Sequence, residues 1–167
     1  MSLFYVIIFL VILARIAELI AARRNTRRLL SEGAVELGRA HYPVIVGLHA
    51  AWFVAMFVVI PANEPPVWFW LVLFLLLQPL RFWILTSLGR FWTTRIISMP
   101  GAPLVRSGPY RFLRHPNYAL VELEIVFLPL AFGSWALALI FGAANAAVLA
   151  WRIRIEDIAL ASRRQAA

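Results

Sequence analysis

The chain has 167 residues, 63% of them hydrophobic, and its mean hydropathy is +0.83. Soluble domains contain roughly 45–50% apolar residues, and a small fold leaves much of its surface exposed, so lipid must cover part of this one. The net charge of +8 comes from arginines that lie between apolar segments, which excludes a soluble nucleic-acid-binding domain. The absence of cysteine excludes disulfides and thiolate metal sites. We expect neither a nucleic-acid partner nor a metal.

Five apolar segments follow one another along the chain, each close to the roughly 20 residues that a helix needs to cross a bilayer. The predicted spans are 3–22, 44–60, 67–88, 118–132 and 135–151. Only Gly133 and Ser134 separate the last two spans, which indicates a tight helical hairpin. The first segment leads into Arg23 and Arg24 without a preceding basic region, so it is interpreted as a retained span. The prediction is an all-α, polytopic membrane helix bundle forming one domain over 1–167.

The arginines predict the orientation of the bundle. Fourteen of the sixteen lie in three segments: between spans one and two, between spans three and four, and after span five. The loops on the opposite side contain none. The positive-inside rule therefore puts the N-terminus outside and the C-terminus, with a helix end predicted at 152–164, in the cytoplasm. We expect an integral protein of a bacterial inner membrane with its active site facing the cytoplasm.

The polar segment 98–118, just before the fourth span, is the first place where chemistry is expected. It contains the sequences GPYR at 108–111 and RHPNY at 114–118, and it carries one histidine, two tyrosines and three arginines. Its prolines and glycines set turns, and Pro116 suits the first turn of a helix, where its missing N–H costs nothing. The free N–H groups of that turn would face a carboxylate or phosphate. An ordered loop with its arginines on lipid headgroups is the alternative.

A polar stripe is predicted at the end of the fifth span. Asn145, Arg152 and Glu156 are spaced by seven and four residues, so they share one face of a helix. The stripe would run from membrane depth at Asn145 to the cytoplasmic mouth at Glu156. A snorkelling arginine that pairs with Glu156 at the interface is the alternative interpretation.

These motifs, followed by the hairpin and the sequence RIRIED at 152–157, resemble the isoprenylcysteine carboxyl methyltransferase family. That family shows a GPYR–RHPxY segment, a helical hairpin and an R-x-x-x-E-E end, and the resemblance covers about residues 100–160. It implies S-adenosylmethionine bound at the cytoplasmic face and a lipophilic acceptor that enters from the bilayer. The N-terminal half, including His41 and Tyr42, is more similar to small bacterial members linked to O-methylation of alkylpyrones and alkylresorcinols.

The resemblance also implies roles for individual residues. The implied cofactor-binding residues are Leu104, Val105, Gly108, Pro109, Tyr110, Arg114, His115, Pro116, Tyr118, Arg152 and Glu156. The first two would lie along the adenosine, while His115, Tyr118 and Glu156 would hold the amino-acid end. Two positions depart from the family pattern. Asp157 stands where the family has a second glutamate, and Pro103 stands where the prenylcysteine enzymes commonly carry a histidine.

Polar side chains within the spans are candidates for catalysis, because a charged group there costs about 2.5–3.5 kcal/mol on insertion scales. The candidate catalytic residues are Asn145, Arg152, Glu124 and His49. A carboxylate acceptor needs only a cation to hold it, and Arg152 or Arg81 could supply one. A phenol or enol also needs a base, for which His49, Glu122 and Glu124 remain open.

The leading hypothesis is an S-adenosylmethionine-dependent methyltransferase that methylates a carboxylate or a phenolic or enolic oxygen of a lipophilic molecule. NADPH-dependent membrane reductases of the sterol or steroid type and phospholipid N-methyltransferases carry similar RHPxY segments and are the enzymatic alternatives. The reductases have additional spans, which argues against them. A lipid-binding membrane protein without catalysis is the third possibility, and the pair of motifs argues against it.

Overall fold

The structure is a computed structural model that describes residues 2–165, with side chains described as far as Ile158. The elements are α1 (Leu3–Ser31), β1 (Val35–Leu37), α2 (His41–Val59), α3 (Trp68–Leu88), β2 (Ile96–Ser98), α4 (Pro116–Leu130) and α5 (Trp135–Gln165), with short 3-10 helices at Gly89–Phe91 and Gly108–Arg111. The predicted bundle of five helices is confirmed. The antiparallel pair β1–β2 is an addition, because strands of three residues leave no periodic pattern in the sequence.

Two helices extend beyond the apolar segments that predict them. α1 continues to Ser31, well past the predicted end of the first span at residue 22. Arginine is a good helix former, and α1 ends just before Gly33, whose φ of +94° suits the end of a helix. α5 likewise runs unbroken from the predicted fifth span to Gln165. Both arginine-rich segments are therefore helical extensions of the bundle.

α4 is shorter than the other helices. Its 15 residues span about 22 Å at 1.5 Å per residue, whereas α1, α2, α3 and α5 are long and apolar enough to cross a membrane. The Ala131 carbonyl, just past its end, accepts a hydrogen bond from Val67 N–H at 2.9 Å, so α4 ends level with the start of α3. The 3-10 helix Gly108–Arg111 packs on the last turns of α3 and fills the space before α4 begins. The count of five spans stays a prediction.

The apolar core lies at the end of the bundle where α1 begins. The rings of Phe4 and Phe132 meet edge to face at 5.0 Å between centroids. Ile8, Met56 and Leu128 are completely buried around them, which joins α1, α2 and α4. Helices in lipid associate through such close packing. This end of the bundle is therefore closed by helix contacts, and loops build the opposite end.

The arginine-bearing segments meet at that opposite end. Asn25 of α1 donates hydrogen bonds from Nδ2 to the carbonyls of Gly89 at 3.2 Å and Trp92 at 2.9 Å. Arg90 pairs with Glu32 at 2.8 Å, and β1 pairs with β2 beside them. The structure thus brings the segments together at one end, while the side of the membrane that this end faces stays a prediction.

The outer surface of the helices is apolar. Large hydrophobic side chains at least half exposed occur on α1, α2, α3 and α5, among them Phe9, Leu10, Val54, Val58, Phe69, Leu76, Phe82, Leu139 and Ile140. A surface of this kind is stable in contact with lipid rather than with water. Together with the four long apolar helices, it makes the protein an integral membrane protein.

Candidate active site

The segment between β2 and α4 folds back against α3 at Gly108. This glycine has φ +57°, and a Cβ at its position would lie 2.1 Å from Ser87 Oγ and 3.1 Å from Trp83 Nε1. Glycine is required there for both its conformation and its size. Pro109 is buried directly after it, and Pro116 opens α4 at the first helical position. These residues fix the path of the segment and direct Tyr110 and His115 towards α5.

A cavity of about 410 Å³, the larger cavity, lies between this segment, β2 and the end of α5. Its walls are Leu88, Phe91, Ile97, Pro103, Leu104, Val105, Arg106, Tyr110, Arg114, His115 and Glu156. A smaller cavity of about 140 Å³ adjoins it and adds Tyr118 and Arg152. Eight of the eleven predicted cofactor-binding residues line at least one of the two cavities. The other three, Gly108, Pro109 and Pro116, determine the path of the backbone next to the cavities. The larger volume is within the range of roughly 300–1,000 Å³ of small-molecule sites.

The Tyr118 hydroxyl joins α4 to α5 at these cavities. It donates a hydrogen bond to Glu156 Oε2 and accepts one from Arg152 Nε at 2.7 Å. Arg152 also donates from Nη2 to the Thr94 carbonyl at 2.9 Å, and its guanidinium lies 5.3 Å from the centre of the Tyr118 ring. Arg152 and Glu156 lie on one face of α5, as predicted, and the phenol of Tyr118 from α4 bridges their side chains. A carboxylate, a guanidinium and a hydroxyl converge on one place.

His115, the residue before α4, completes this group. Its ring stacks on Tyr118 with centroids 5.2 Å apart and an interplanar angle of 9°. Nδ1 lies 3.9 Å from Glu156 Oε2, and Nε2 lies 3.5 Å from Asp157 Oδ1, so the shorter acid still reaches the imidazole. His115 Nε2 and Asn117 Oδ1 are buried and make no hydrogen bond to the described residues. Since buried polar atoms are normally hydrogen-bonded, both atoms can serve a ligand.

Tyr110 lines both cavities together with Glu156. Burial raises the pKa of its phenol, and the nearby Glu156 carboxylate raises that pKa further. Tyr110 therefore keeps its proton at neutral pH and presents an uncharged ring. A cation placed between this ring and Glu156 would gain from the π face and from the carboxylate. Leu104 and Val105 contribute apolar side chains to the lining of the larger cavity.

Glu124, a predicted catalytic residue, lies in a charge cluster between α1, α3 and α4. It accepts hydrogen bonds from Arg81 Nη1 at 2.6 Å, Gln78 Nε2 at 3.2 Å and Arg15 Nη1 at 3.5 Å. Arg81 also donates to Glu18, from Nε at 2.7 Å and from Nη2 at 2.6 Å. Two arginines and two glutamates thus compensate one another where unpaired charges would be very costly. We assign Glu124 and Arg81 a structural role.

The other predicted catalytic residues occupy separate places. Asn145 is 1% exposed and donates from Nδ2 to Glu122 Oε2 at 2.8 Å, which ties α5 to α4. His49 Nδ1 lies 2.8 Å from the Ile45 carbonyl of its own helix. In the neutral tautomer with the proton on Nδ1, this nitrogen donates a hydrogen bond to the carbonyl, and Nε2 retains a lone pair that can accept a proton. Of the four predicted catalytic residues, Arg152 is the one that lines either of the two cavities.

Sequence motifs do not indicate the contribution of the segment around β2. Thr93, Arg95, Ile96 and Ile97 line the smaller cavity together with Asn117. The sequence gives little sign that this segment belongs to the site. Arg95 contributes only to the prediction of membrane orientation, and two adjacent isoleucines show no periodicity. The antiparallel register of a very short sheet brings these residues to the site, and sequence spacing does not predict that register.

These features define a class of protein. It is an integral membrane helix bundle with a ligand-sized site between the loop before α4 and the C-terminal part of α5, and this site has polar side chains at one end. The model of the isoprenylcysteine carboxyl methyltransferase (ICMT) family matches residues 70–162, more than half of the chain. The protein belongs to this family of membrane methyltransferases, as its motifs predict. The matched range contains both cavities' residues, and α1, β1 and α2 lie outside it.

Two bacterial relatives match along almost the whole chain. "Uncharacterized protein YpbQ" of Bacillus subtilis (strain 168) is 40% identical over 161 residues, which are 94% of this chain and 96% of the relative. An "Uncharacterized protein" of Haemophilus influenzae is 28% identical over 166 residues, 95% of each chain. No solved structure matches the chain significantly. The similarity to these relatives therefore extends into the N-terminal helices that the family range omits.

Proposed function

We propose that the protein is an S-adenosylmethionine-dependent methyltransferase that methylates an oxygen atom of a lipophilic acceptor. One observation carries the proposal: the apolar wall of Leu104 and Val105 and the polar group of His115, Tyr118 and Glu156 belong to one continuous site. Membership of the methyltransferase family supports it. The arginine distribution supports a cytoplasmic location for this end of the bundle.

The residues at the site fit the chemistry of this cofactor. Its adenosine needs an apolar wall, and Leu104 and Val105 provide one. Its ammonium group needs an acid, for which Glu156 is suited, and its carboxylate needs a cation, for which Arg114 at the rim is suited. His115 Nε2 is buried and lies 3.5 Å from Asp157 Oδ1 without a hydrogen bond to the described residues, so a ligand atom could supply one. The larger cavity, about 410 Å³, is large enough for a ligand of this size class.

Arg152 is the residue that would hold the oxygen of the acceptor. Arg81, the other candidate, is occupied by Glu18 and Glu124. Arg152 uses two contacts, to Tyr118 and Thr94, and a guanidinium has more N–H donors than these require. Because Arg152 lines the smaller cavity, its charge can stabilise a carboxylate or a phenolate there.

His49 is the base that we propose for a phenolic or enolic acceptor, and because it lines neither cavity, the acceptor would have to extend beyond the smaller cavity to reach it. Among the candidates from the sequence, Glu124 is bound by two arginines and Glu122 by Asn145. The contact of His49 Nδ1 with its own helix orients the imidazole and leaves Nε2 to take a proton. A carboxylate acceptor would need no base, so His49 is expected to matter for one class of acceptor and not for the other.

The bound cofactor supplies an electrophilic methyl group on a sulfonium ion. The contribution of the protein is alignment and exclusion of water, which together are worth several orders of magnitude in rate. Tyr118 and Arg152 connect α4, α5 and the segment before β2, so they hold the two ligand sites in a fixed relation. Lipid-facing helices around the site would admit an acceptor from the bilayer.

Calorimetry on the full chain in detergent tests the proposal with S-adenosylhomocysteine as the probe. We expect binding to the wild type, and Glu156→Ala and His115→Ala should each weaken it about tenfold or more, the equivalent of one charge-assisted contact. Glu32→Ala is the matched control, since Glu32 pairs with Arg28 and Arg90 at the same end of the bundle but lies outside both cavities.

Two outcomes would overturn the proposal. Binding of NADPH without any binding of S-adenosylhomocysteine would favour a reductase. Unchanged binding in both site variants would place the ligand elsewhere. The acceptor is then sought by mass spectrometry of lipids from cells with and without the protein, in which methylation adds about 14 Da. A mass shift on an amine-bearing phospholipid would favour N-methylation instead.

A further inference from the structure

The N-terminal segment 34–42 is built into the site although it lies outside the family-matched range 70–162. β1 pairs with β2 in antiparallel register, with Val35 opposite Ser98 and Leu37 opposite Ile96. Ile97, in the middle of β2, lines both cavities. The position of this cavity wall therefore depends on a strand that comes from the linker between α1 and α2.

An ion pair reinforces this connection. Arg95 Nη1 donates to Glu36 Oε1 at 2.6 Å, and the Glu36 side chain is only 7% exposed. The Arg95 guanidinium also lies 4.5 Å from the centre of the Tyr42 ring, at the start of α2. A buried carboxylate needs its cation, and the aromatic face adds a second attraction. Two elements of the N-terminal segment thus hold the side chain of Arg95, which itself lines the smaller cavity.

The residues on either side complete the link to Arg152. Thr93 Oγ1 donates to the Arg95 carbonyl at 2.8 Å, and Thr94 Oγ1 lies 3.4 Å from the Tyr42 hydroxyl. The first contact closes a turn within 93–95, and the second joins this turn to α2. The carbonyl of Thr94 is in turn the acceptor for Arg152 Nη2. Arg152 is held at Nε by Tyr118, on the cofactor side, and at Nη2 by this carbonyl.

We propose that Glu36 and Arg95 are positioning residues for Arg152, and that segment 34–42 thereby sets the alignment of the acceptor. This inference rests on the proposed methyltransferase function. Loss of the Glu36 charge frees Arg95 and lets the 93–95 backbone shift, so the guanidinium of Arg152 turns about its remaining contact with Tyr118. Cofactor binding is retained because Tyr118, His115 and Glu156 are untouched, while transfer slows because the acceptor oxygen is misaligned.

Glu36 pairs with Arg39 at 3.4 Å as well as with Arg95. The test compares Glu36→Gln with the matched control Glu32→Gln, which removes an acid that pairs with Arg28 and Arg90 but does not contact 93–95. Purified full-length protein is given tritium-labelled S-adenosylmethionine and either pentadecylresorcinol or S-farnesyl-N-acetylcysteine as the acceptor probe. The turnover number is expressed per site that binds S-adenosylhomocysteine, as titrated by calorimetry. A merely structural role would reduce the number of binding sites and leave this ratio unchanged.

We expect Glu36→Gln to lower kcat per binding site by about tenfold to a hundredfold, with the Kd for S-adenosylhomocysteine within about twofold of the wild type. Glu36→Asp, which retains the charge, should recover part of the rate, and Glu32→Gln should behave as the wild type. If Glu36→Gln does not fold, Arg95→Lys, which retains the charge but not the planar fork, is expected to show the same selective loss.

Three results would overturn the inference, and those that refute the positioning role alone are distinguishable from the one that refutes the proposed function. A wild type that methylates a probe, together with an unchanged kcat per site in Glu36→Gln, would refute the positioning role alone. A parallel loss of cofactor affinity and kcat would do the same. A wild type that neither binds S-adenosylhomocysteine nor methylates either probe would refute the proposed function and this inference with it.

Discussion

The sharpest prediction from the structure concerns Gly108, where the cavity-forming segment touches α3. In Gly108→Ala the new methyl group would lie 2.1 Å from Ser87 Oγ and 3.0 Å from Ser87 Cβ, and the residue would have to keep φ near +57°. A non-glycine residue in this conformation costs about 1–2 kcal/mol. The overlap adds about 1–3 kcal/mol, as overpacking does elsewhere. The strain is about 2–5 kcal/mol in total unless the segment moves away from α3.

Two variants separate these contributions. Gly101 lies in the same segment with φ +74° and has nothing within 4 Å of a Cβ at its position. Gly101→Ala therefore carries the conformational cost of about 1–2 kcal/mol without the overlap. The double variant Gly108→Ala/Ser87→Gly removes the contacts with Ser87 but retains the conformational cost. We expect the order of damage to be Gly108→Ala, then the double variant, then Gly101→Ala.

The assay is limited proteolysis of 99–117 in detergent, combined with calorimetric affinity for S-adenosylhomocysteine. Displacement of the segment in Gly108→Ala should increase its cleavage and lower the affinity at least about tenfold, since 1.4 kcal/mol corresponds to a factor of ten. Equal effects of Gly108→Ala and Gly101→Ala, or no recovery in the double variant, would refute the assignment of the strain to Ser87. The proteolysis result stands whatever ligand the site binds.

Two further predictions concern polar groups within the spans. Arg81→Gln leaves Glu18 and Glu124 with Arg15 as the one cation for two acids, so it should destabilise the protein by about 3–5 kcal/mol and lower its thermal midpoint in detergent. Arg90→Gln is the control, because it breaks a more exposed ion pair worth about 0–1 kcal/mol. Similar shifts of the thermal midpoint in the two variants would contradict the structural role of Arg81. His49→Ala should reduce methylation of pentadecylresorcinol by about a hundredfold or more and spare S-farnesyl-N-acetylcysteine. A parallel loss on both acceptors would argue against His49 as the base.

The sequence is sufficient to predict those parts of the site that lie on one continuous segment or one helix face. The spacing of Arg152 and Glu156 predicts that they share one face of α5, the resemblance to the family implies that His115 and Tyr118 join Glu156, and the structure brings all four together. This works because helix periodicity and the position of Pro116 determine local geometry. Resemblance to the family adds the expected ligand.

Contacts between distant segments leave no pattern in the sequence from which they could be predicted. Glu36 and Arg95 are 59 positions apart, and only the register of a short sheet brings them together. Arg81 is recognisable as a charge in a span, but its partners Glu18 and Glu124 lie on two other helices. Hydropathy cannot choose between a snorkelling arginine and a paired one, since both have the same sequence pattern. Glu124 is accordingly a poorer catalytic candidate in the structure than in the sequence.

The charge cluster between α1, α3 and α4 has a consequence for how the protein is assembled in the membrane. Arg15 and Glu18 lie 3.3 Å apart on neighbouring turns of α1, so this helix enters the bilayer with its charges already compensated. Arg81 in α3 and Glu124 in α4 each cost about 2.5–3.5 kcal/mol until they find a partner. Arg81 and Glu124 pair with each other, and α1 adds Glu18 as a second partner for Arg81 and Arg15 as a second partner for Glu124. Packing of α3 and α4 against α1 therefore completes the compensation of these charges within the membrane.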